Sequence, residues 1–205
     1  MTTPPGRPKS LPPRLLALAQ HIRPTAAVID VGTDHAFLPI YLAQQGHVGR
    51  LIAMDIAPGP LAQAEGNIAR RRLSDRIELA LSNGLEQLQS LNIDPDTPLD
   101  IVIAGMGGEN IAAILAEFMG AQFNDVSLHS AQSPSSKSSM SEVNSSDELF
   151  SPVRCRSSLG CRYLLQPMTR AEKLLDFLAD VNLHAEEYTV SEGRRVYQYF
   201  VAMSK

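Results

Sequence analysis

Apolar residues in this chain fall into short runs that stop at a polar or glycine turn, and the stretches between them carry helical spacing. The runs cover residues 26–31, 51–56, 77–81, 99–104 and 161–165. Aliphatic and β-branched runs of this length, bounded by turn residues, predict strands; the most continuous of them suit the buried strands of a parallel sheet. Residues 37–45, 58–71, 109–118 and 170–180 place apolar side chains three and four apart and predict the connecting helices. Leu11, Leu15, Leu16, Leu18, Ala19 and Ile22 do the same ahead of the first strand, with Pro12 and Pro13 in an opening turn where a missing N–H costs little. Thr169 followed by Glu172 predicts a capping box. Residues 184–189 and 195–203 alternate around a glycine turn at Gly193 and predict a closing antiparallel hairpin. Strands alternating with helices predict an α/β, doubly wound sheet, mostly parallel, with ligands bound at the carboxyl ends of its strands.

Composition narrows this picture. A chain of 205 residues with 44% hydrophobic content can bury one substantial core, so a single domain is expected over residues 11–205. Residues 1–10 are polar and proline-rich and are expected to form a loose arm; the serine-rich stretch 122–159 is expected to be a disordered insertion. No apolar run approaches the roughly 18–20 residues of a membrane helix, and the first ten residues do not resemble a signal peptide, so a cytoplasmic protein is expected. Net charge is -4 and the pI about 5.7, which does not announce a nucleic-acid binder. Arg14, His21 and Arg23 are expected along the polar side of the first helix. Arg70, Arg71 and Arg72 close a helix where the macrodipole favours cations. Cys155 and Cys161 have no companion cluster, so neither a metal site nor a disulfide framework is expected, and both are read as free thiols.

The candidate chemistry lies where the strands end. The first run closes in Asp30-Val31-Gly32-Thr33-Asp34-His35, the second in Asp55-Ile56, the third in Ser82-Asn83-Gly84, the fourth in Ala104-Gly105-Met106-Gly107-Gly108, and the fifth in Gln166-Pro167. A single glycine in the first turn does not make the G-x-G-x-x-G of a dinucleotide site, no G-x-x-x-x-G-K-[ST] loop occurs, and the Asp34 carboxylate stands where a pyrophosphate would sit. A ligand with ribose and adenine, no phosphates and a positive charge is compatible. S-adenosylmethionine meets those terms, with Asp55 on the ribose hydroxyls, Asn83 at the adenine edge and Gly32 leaving room for the methionine portion.

The turn Asp30-Val-Gly-Thr-Asp-His-Ala-Phe-Leu-Pro39, Pro58-Gly59-Pro60, Asn83-Gly84-Leu85, Ala104-Gly-Met-Gly-Gly108, Leu165-Gln-Pro-Met168 and the hairpin from Glu192 to Tyr197 together resemble the bacterial tRNA (adenine(22)-N1)-methyltransferase family. The resemblance covers about residues 11–118 and 161–203. It implies a Rossmann-like class I methyltransferase fold that moves a methyl group from S-adenosylmethionine to adenine N1 in the D arm of tRNA. It implies Asp34 as the catalytic carboxylate. Asp30, Gly32, Asp55, Ile56, Asn83, Gly84, Ala104 and Gly105 are the expected cofactor residues; His35, Met106, Gly107, Gly108, Gln166 and Pro167 are those expected at the substrate. The target adenine would leave its stack to reach them. Asn83 stands where the family usually has aspartate, and the C-terminal coiled-coil domain of many members is expected to be absent. No metal and no obligate protein partner are implied. The alternatives are a methyltransferase acting on a small molecule or another RNA, and a catalytically silent cofactor- or RNA-binding module.

Overall fold

The computed structural model describes residues 11–120 and 160–204. The expected N-terminal arm and the serine-rich insertion lie outside the described residues. In chain order the elements are α1 (Pro13–Ala19), β1 (Ala27–Val31), α2 (Phe37–Gln44), β2 (Leu51–Asp55), α3 (Pro58–Ala69), β3 (Ile77–Leu81), a 3-10 helix (Glu86–Leu91), β4 (Leu99–Gly107), α4 (Gly108–Met119), β5 (Cys161–Thr169), α5 (Ala171–Asp180), β6 (Leu183–Glu192) and β7 (Arg195–Ser204). One sheet takes the order β3-β2-β1-β4-β5-β7-β6. The first five pair in parallel, and β7 runs antiparallel to both β5 and β6. The doubly wound sheet with its antiparallel hairpin is therefore as the sequence pattern predicts.

Burial explains why the pattern was readable. β1 and β2 are buried along their whole length, because helices cover both faces; edge strand β6 alternates instead. Val28, Ala53, Val102 and Leu164 point into a cluster with Leu18, Leu38 and Ile68 from α1, α2 and α3. Their neighbours Ile29, Ile52, Ile101 and Leu165 point the other way, to Leu115 of α4 and Phe177 of α5. No helix among the described residues is long and apolar enough to cross a membrane.

Three expectations are corrected. β4 and β5 are longer than predicted, running to Gly107 and Thr169. The expected glycine loop is the irregular end of a strand, paired Met106 to Pro167 and Gly107 to Thr169, with register shifts on either side of Met106. Thr169 does not cap α5: the cap position is Arg170, in left-handed backbone at φ 53°, and no side chain caps the helix. Cys161, buried at the start of β5, is not a free thiol but disulfide-bonded; the only other cysteine, Cys155, lies outside the described residues.

Arg23, expected along the polar side of the first helix, lies beyond the end of α1 and is held by a buried carboxylate. At the amino-terminal edge of the sheet, Asp100 is fully buried and accepts from the Arg23 backbone N–H at 2.7 Å and from its Nε at 2.9 Å. Arg23 Nη2 also donates to the Leu99 carbonyl at 2.8 Å. Removing one partner of such a pair leaves a buried charge uncompensated, at a typical cost of about 3–5 kcal/mol. Arg23→Ala is expected to lower unfolding free energy by about 3 kcal/mol in urea titrations; a loss under about 1 kcal/mol would contradict the role assigned to the pair.

Candidate active site

β1 and β4 are neighbours, and the chain leaves β1 toward β2 on one side and β4 toward β5 on the other. Their carboxyl ends therefore border the crevice where open α/β sheets take ligands. Gly32 stands on one side of it at φ +70°, and a Cβ there would lie 2.2 Å from the Met106 methyl carbon. Across the crevice, Gly105 takes φ +81° at the register shift of β4, with nothing within 4 Å of where its Cβ would be. Thus Met106 lies over the first turn, and open space lies at Gly105.

The turn after Gly32 is strained and held from several directions. Asp34 at φ 51° and Ala36 at φ 56° both occupy the left-handed region, which non-glycine residues enter at a cost. Thr33 donates its N–H to the Met54 carbonyl at 2.9 Å and its hydroxyl to Asp30 Oδ2 at 2.6 Å. The Asp34 N–H points to Asp55 Oδ2 at 3.3 Å, while Asp55 Oδ1 accepts from the Ala57 N–H at 3.0 Å. Asn67 on α3 donates to the His35 carbonyl at 3.0 Å. The result is three carboxylates near one strand edge, two buried and one, Asp34, with 64% of its side chain exposed.

Burial, followed by the neighbouring charge of Asp55, raises the Asp30 carboxyl from 3.8 to about 6, against the opposing hydrogen bond from Thr33. Asp34 Oδ2 lies 3.5 Å from His35 Nε2. The His35 ring in turn meets Phe37 at a centroid distance of 5.1 Å.

Of the remaining sequence-predicted residues, Ile56 is 66% exposed directly after Asp55. Asn83 is exposed and donates its amide to Glu86 Oε1 at 2.9 Å. Gly84 faces Ile114 of α4, whose Cγ2 is 3.0 Å from its Cβ position. Ala104 packs beside the cluster beneath α2. Gly107 lies under the Glu109 carboxylate, and Gly108 is closed against the Arg170 carbonyl, 2.1 Å from its Cβ position. Gln166 is fully buried; its Nε2 donates to the Pro167 carbonyl at 2.8 Å, and its Oε1 has no partner among the described residues. Pro167 is buried beside it. The structure therefore brings Asp30, Gly32, Asp34, His35, Asp55 and Met106 together. Gly84 packs against the Ile114 side chain and Gly108 against the Arg170 backbone.

Sequence reasoning missed three contributors. Leu81 ends β3 at 57% exposure, level with Asp55 in the ladder. Phe37 is 41% exposed beside His35, on a helix so apolar that its sequence does not separate a core position from an exposed one. Asn67 holds the turn from α3, with no local signal of that reach. The arginines divide: Arg14 pairs with Glu192, Arg23 belongs to the opposite sheet edge, and Arg70 donates to the Asn67 side chain at 2.5 Å, one residue removed from the turn.

Known proteins share this fold. Over 102 residues the chain is 35% identical to the tRNA (adenine(22)-N(1))-methyltransferase of Bacillus subtilis (strain 168), a match covering 50% of this chain and 41% of that protein. The crystal structure of the B. subtilis M1A22 tRNA methyltransferase TrmK superposes with a TM-score of 0.67 at 25% identity, covering 96% of this chain and 67% of the other. Streptococcus pneumoniae Sp1610, in complex with S-adenosyl-L-methionine, superposes with a TM-score of 0.66 at 26% identity, covering 93% of this chain and 72% of the other. A family model described as a methyltransferase domain matches residues 11–137, taking in β1 to β4 and the turn at Gly32, and the chain therefore belongs to that methyltransferase family.

Proposed function

We propose that this chain transfers a methyl group from S-adenosylmethionine to N1 of an adenine in tRNA, with Asp34 as the catalytic carboxylate. The observation that carries the proposal is the contact of the Asp34 N–H with the Asp55 carboxylate, which sets an exposed acid beside the strand end where a ribose would be held. Support comes also from the relatives: the B. subtilis protein is a tRNA adenine-N1 methyltransferase by name, and Sp1610 is seen with S-adenosylmethionine.

The residues present fit such a cofactor. Both Asp55 oxygens accept one backbone N–H each and keep lone pairs for ribose hydroxyls. Exposed Ile56 and Leu81 offer apolar surface for an adenine. Asn83, with its amide nitrogen engaged by Glu86, keeps its carbonyl oxygen for the exocyclic amine. The open space at Gly105 admits the methionine portion, and Asp30, ionised above about pH 6, faces its positive charge.

When bound, the cofactor supplies a methyl on a sulfonium centre, so that the N1–methyl bond forms as the sulfur–methyl bond breaks and the electron pair stays on sulfur. The methylated ring is cationic, and the Asp34 carboxylate stabilises that charge as it develops. His35 orients Asp34 and, with Met106 and Gly107, borders the base; Gln166 and Pro167, both buried, lie behind that surface rather than against the base. This division of roles gives the mechanism its carboxylate, its cofactor contacts and its base pocket.

Incubation with S-adenosylmethionine and unmodified bulk tRNA is expected to yield 1-methyladenosine on nucleoside analysis. Cofactor binding with methyl transfer to no RNA would overturn the proposal. Asp34→Asn, chosen because asparagine tolerates left-handed backbone, is expected to lose roughly 100-fold in kcat while retaining its fold and cofactor affinity; full activity would remove Asp34 from the mechanism.

A second expectation follows from the raised Asp30. In the free chain the folded state favours its protonated form, so its contribution to stability is present at low pH and is lost as pH rises from about 3.8 toward 6. Asp30→Asn should therefore be more stable than the parent at pH 8, by up to about 3 kcal/mol, with the difference vanishing below pH 4. Cofactor affinity of the parent should rise between pH 5 and 7 as the carboxyl ionises, and that rise should be absent from the variant. A pH-independent stability difference, or parallel affinity profiles, would contradict the assignment.

A further inference from the structure

The closing hairpin carries a feature that the cofactor and base pockets do not use. β5 pairs with β7 from Arg162↔Met203 to Leu165↔Phe200, whereas the β6–β7 ladder continues for five further pairs to Glu192↔Arg195. Since β7 runs antiparallel to β5, those five pairs extend as a two-stranded ribbon toward the carboxyl edge of the sheet. Continuing the β5–β7 register carries Val196 to the level of Thr169, so the turn at Gly193 stands on the same edge as Asp34.

The charge at the tip is one-sided. Between Thr189 and Gln198 the only acid is Glu192, and Arg14 of α1 takes both of its oxygens at 3.0 Å. That pair anchors the ribbon to α1 and neutralises its one carboxylate. Arg194 and Arg195 are both exposed. Among the described residues Arg194 has no side-chain partner, and Arg195 pairs with no acid, the neighbouring Tyr197 hydroxyl being uncharged. Two uncompensated guanidinium groups at the tip of a paired ribbon, in a chain of net charge -4, form a local anion site that the bulk charge conceals.

Distance suits the tip to a polyanion already engaged at Asp34. The sheet order places β7 three strands and β6 four strands from β1. At about 4.8 Å per strand that is about 14–19 Å, or about four to six nucleotides of a stacked strand at about 3.4 Å each. We propose that Arg194 and Arg195 at the ribbon tip bind backbone phosphates of the RNA substrate a few nucleotides from the reacting base, and so set its register. The inference rests on the proposed RNA methylation and adds to it the surface that receives the RNA. Phosphate contacts of this kind position a nucleic acid without reading its sequence.

The test compares the parent with Arg194→Gln/Arg195→Gln and Arg194→Glu/Arg195→Glu in binding and methylation of unmodified tRNA between 50 and 200 mM salt. Arg50→Gln, which alters a pair with Glu78 on the opposite side of the molecule, is the matched control for lost charge. The glutamine variant is expected to raise KM for tRNA roughly tenfold and to lower the slope of log affinity against log salt by about two. The charge reversal should weaken binding further. Cofactor affinity, read by calorimetry, should match the parent's in all three and reports an intact fold, and Arg50→Gln should keep the parent's KM and salt slope. Variants that methylate tRNA with the parent's KM and slope would overturn the ribbon assignment and leave the proposed activity standing. A parent that binds and methylates no tRNA, including one that methylates a protein instead, would overturn both.

Discussion

The structure depends on the clamp that holds residues 32–36 in strained backbone. Two left-handed, non-glycine residues in a three-residue span are kept there by hydrogen bonds to β2, to Asp30 and to α3. Strain of this kind, of order 1–3 kcal/mol per residue, persists only where surrounding contacts over-determine it. Two of these contacts also fix a carboxylate of the proposed site: the bond from the Asp34 N–H ends on Asp55, and the bond from the Thr33 hydroxyl ends on Asp30. Holding the loop and building the site are accomplished by the same hydrogen bonds.

That economy concentrates negative charge. Asp30 and Asp55 are buried at one edge, and Asp34 projects from between them. Asp30 responds by holding its proton to about pH 6. Clustered carboxylates of this kind cost the free chain stability, and in the proposed site the positive charge of the cofactor would offset that cost. It also explains why the first turn tolerates an aspartate where a phosphate-binding turn would need a bare backbone.

Much of the fold was legible because the central strands are buried on both faces and so appear as unbroken apolar runs. The positions of Asp30, Gly32, Asp34 and Asp55 followed from the same logic, since the carboxyl ends of parallel strands are fixed once the strands are. Other features needed partners far away in sequence. Arg14 meets Glu192 across 178 positions and Arg23 meets Asp100 across 77, so a local view sees only a polar helix side. The Ala104–Gly108 stretch looked like a loop because glycine is poor in strands, yet pairing with Pro167 and Thr169 carries β4 through it with a displaced register. Thr169 had the residue type of a cap but remains in β5, which continues four residues past the apolar run 161–165. Leu81 and Phe37 carried no sequence signal that separates an exposed apolar position from a core one.

The most direct test is a crystal structure of the chain soaked with S-adenosylmethionine. The account predicts ribose hydroxyls on the Asp55 carboxylate, adenine against Ile56 and Leu81, and the transferable methyl group opening toward Asp34 past Gly105. A cofactor bound elsewhere, or with its methyl group turned away from Asp34, would contradict it.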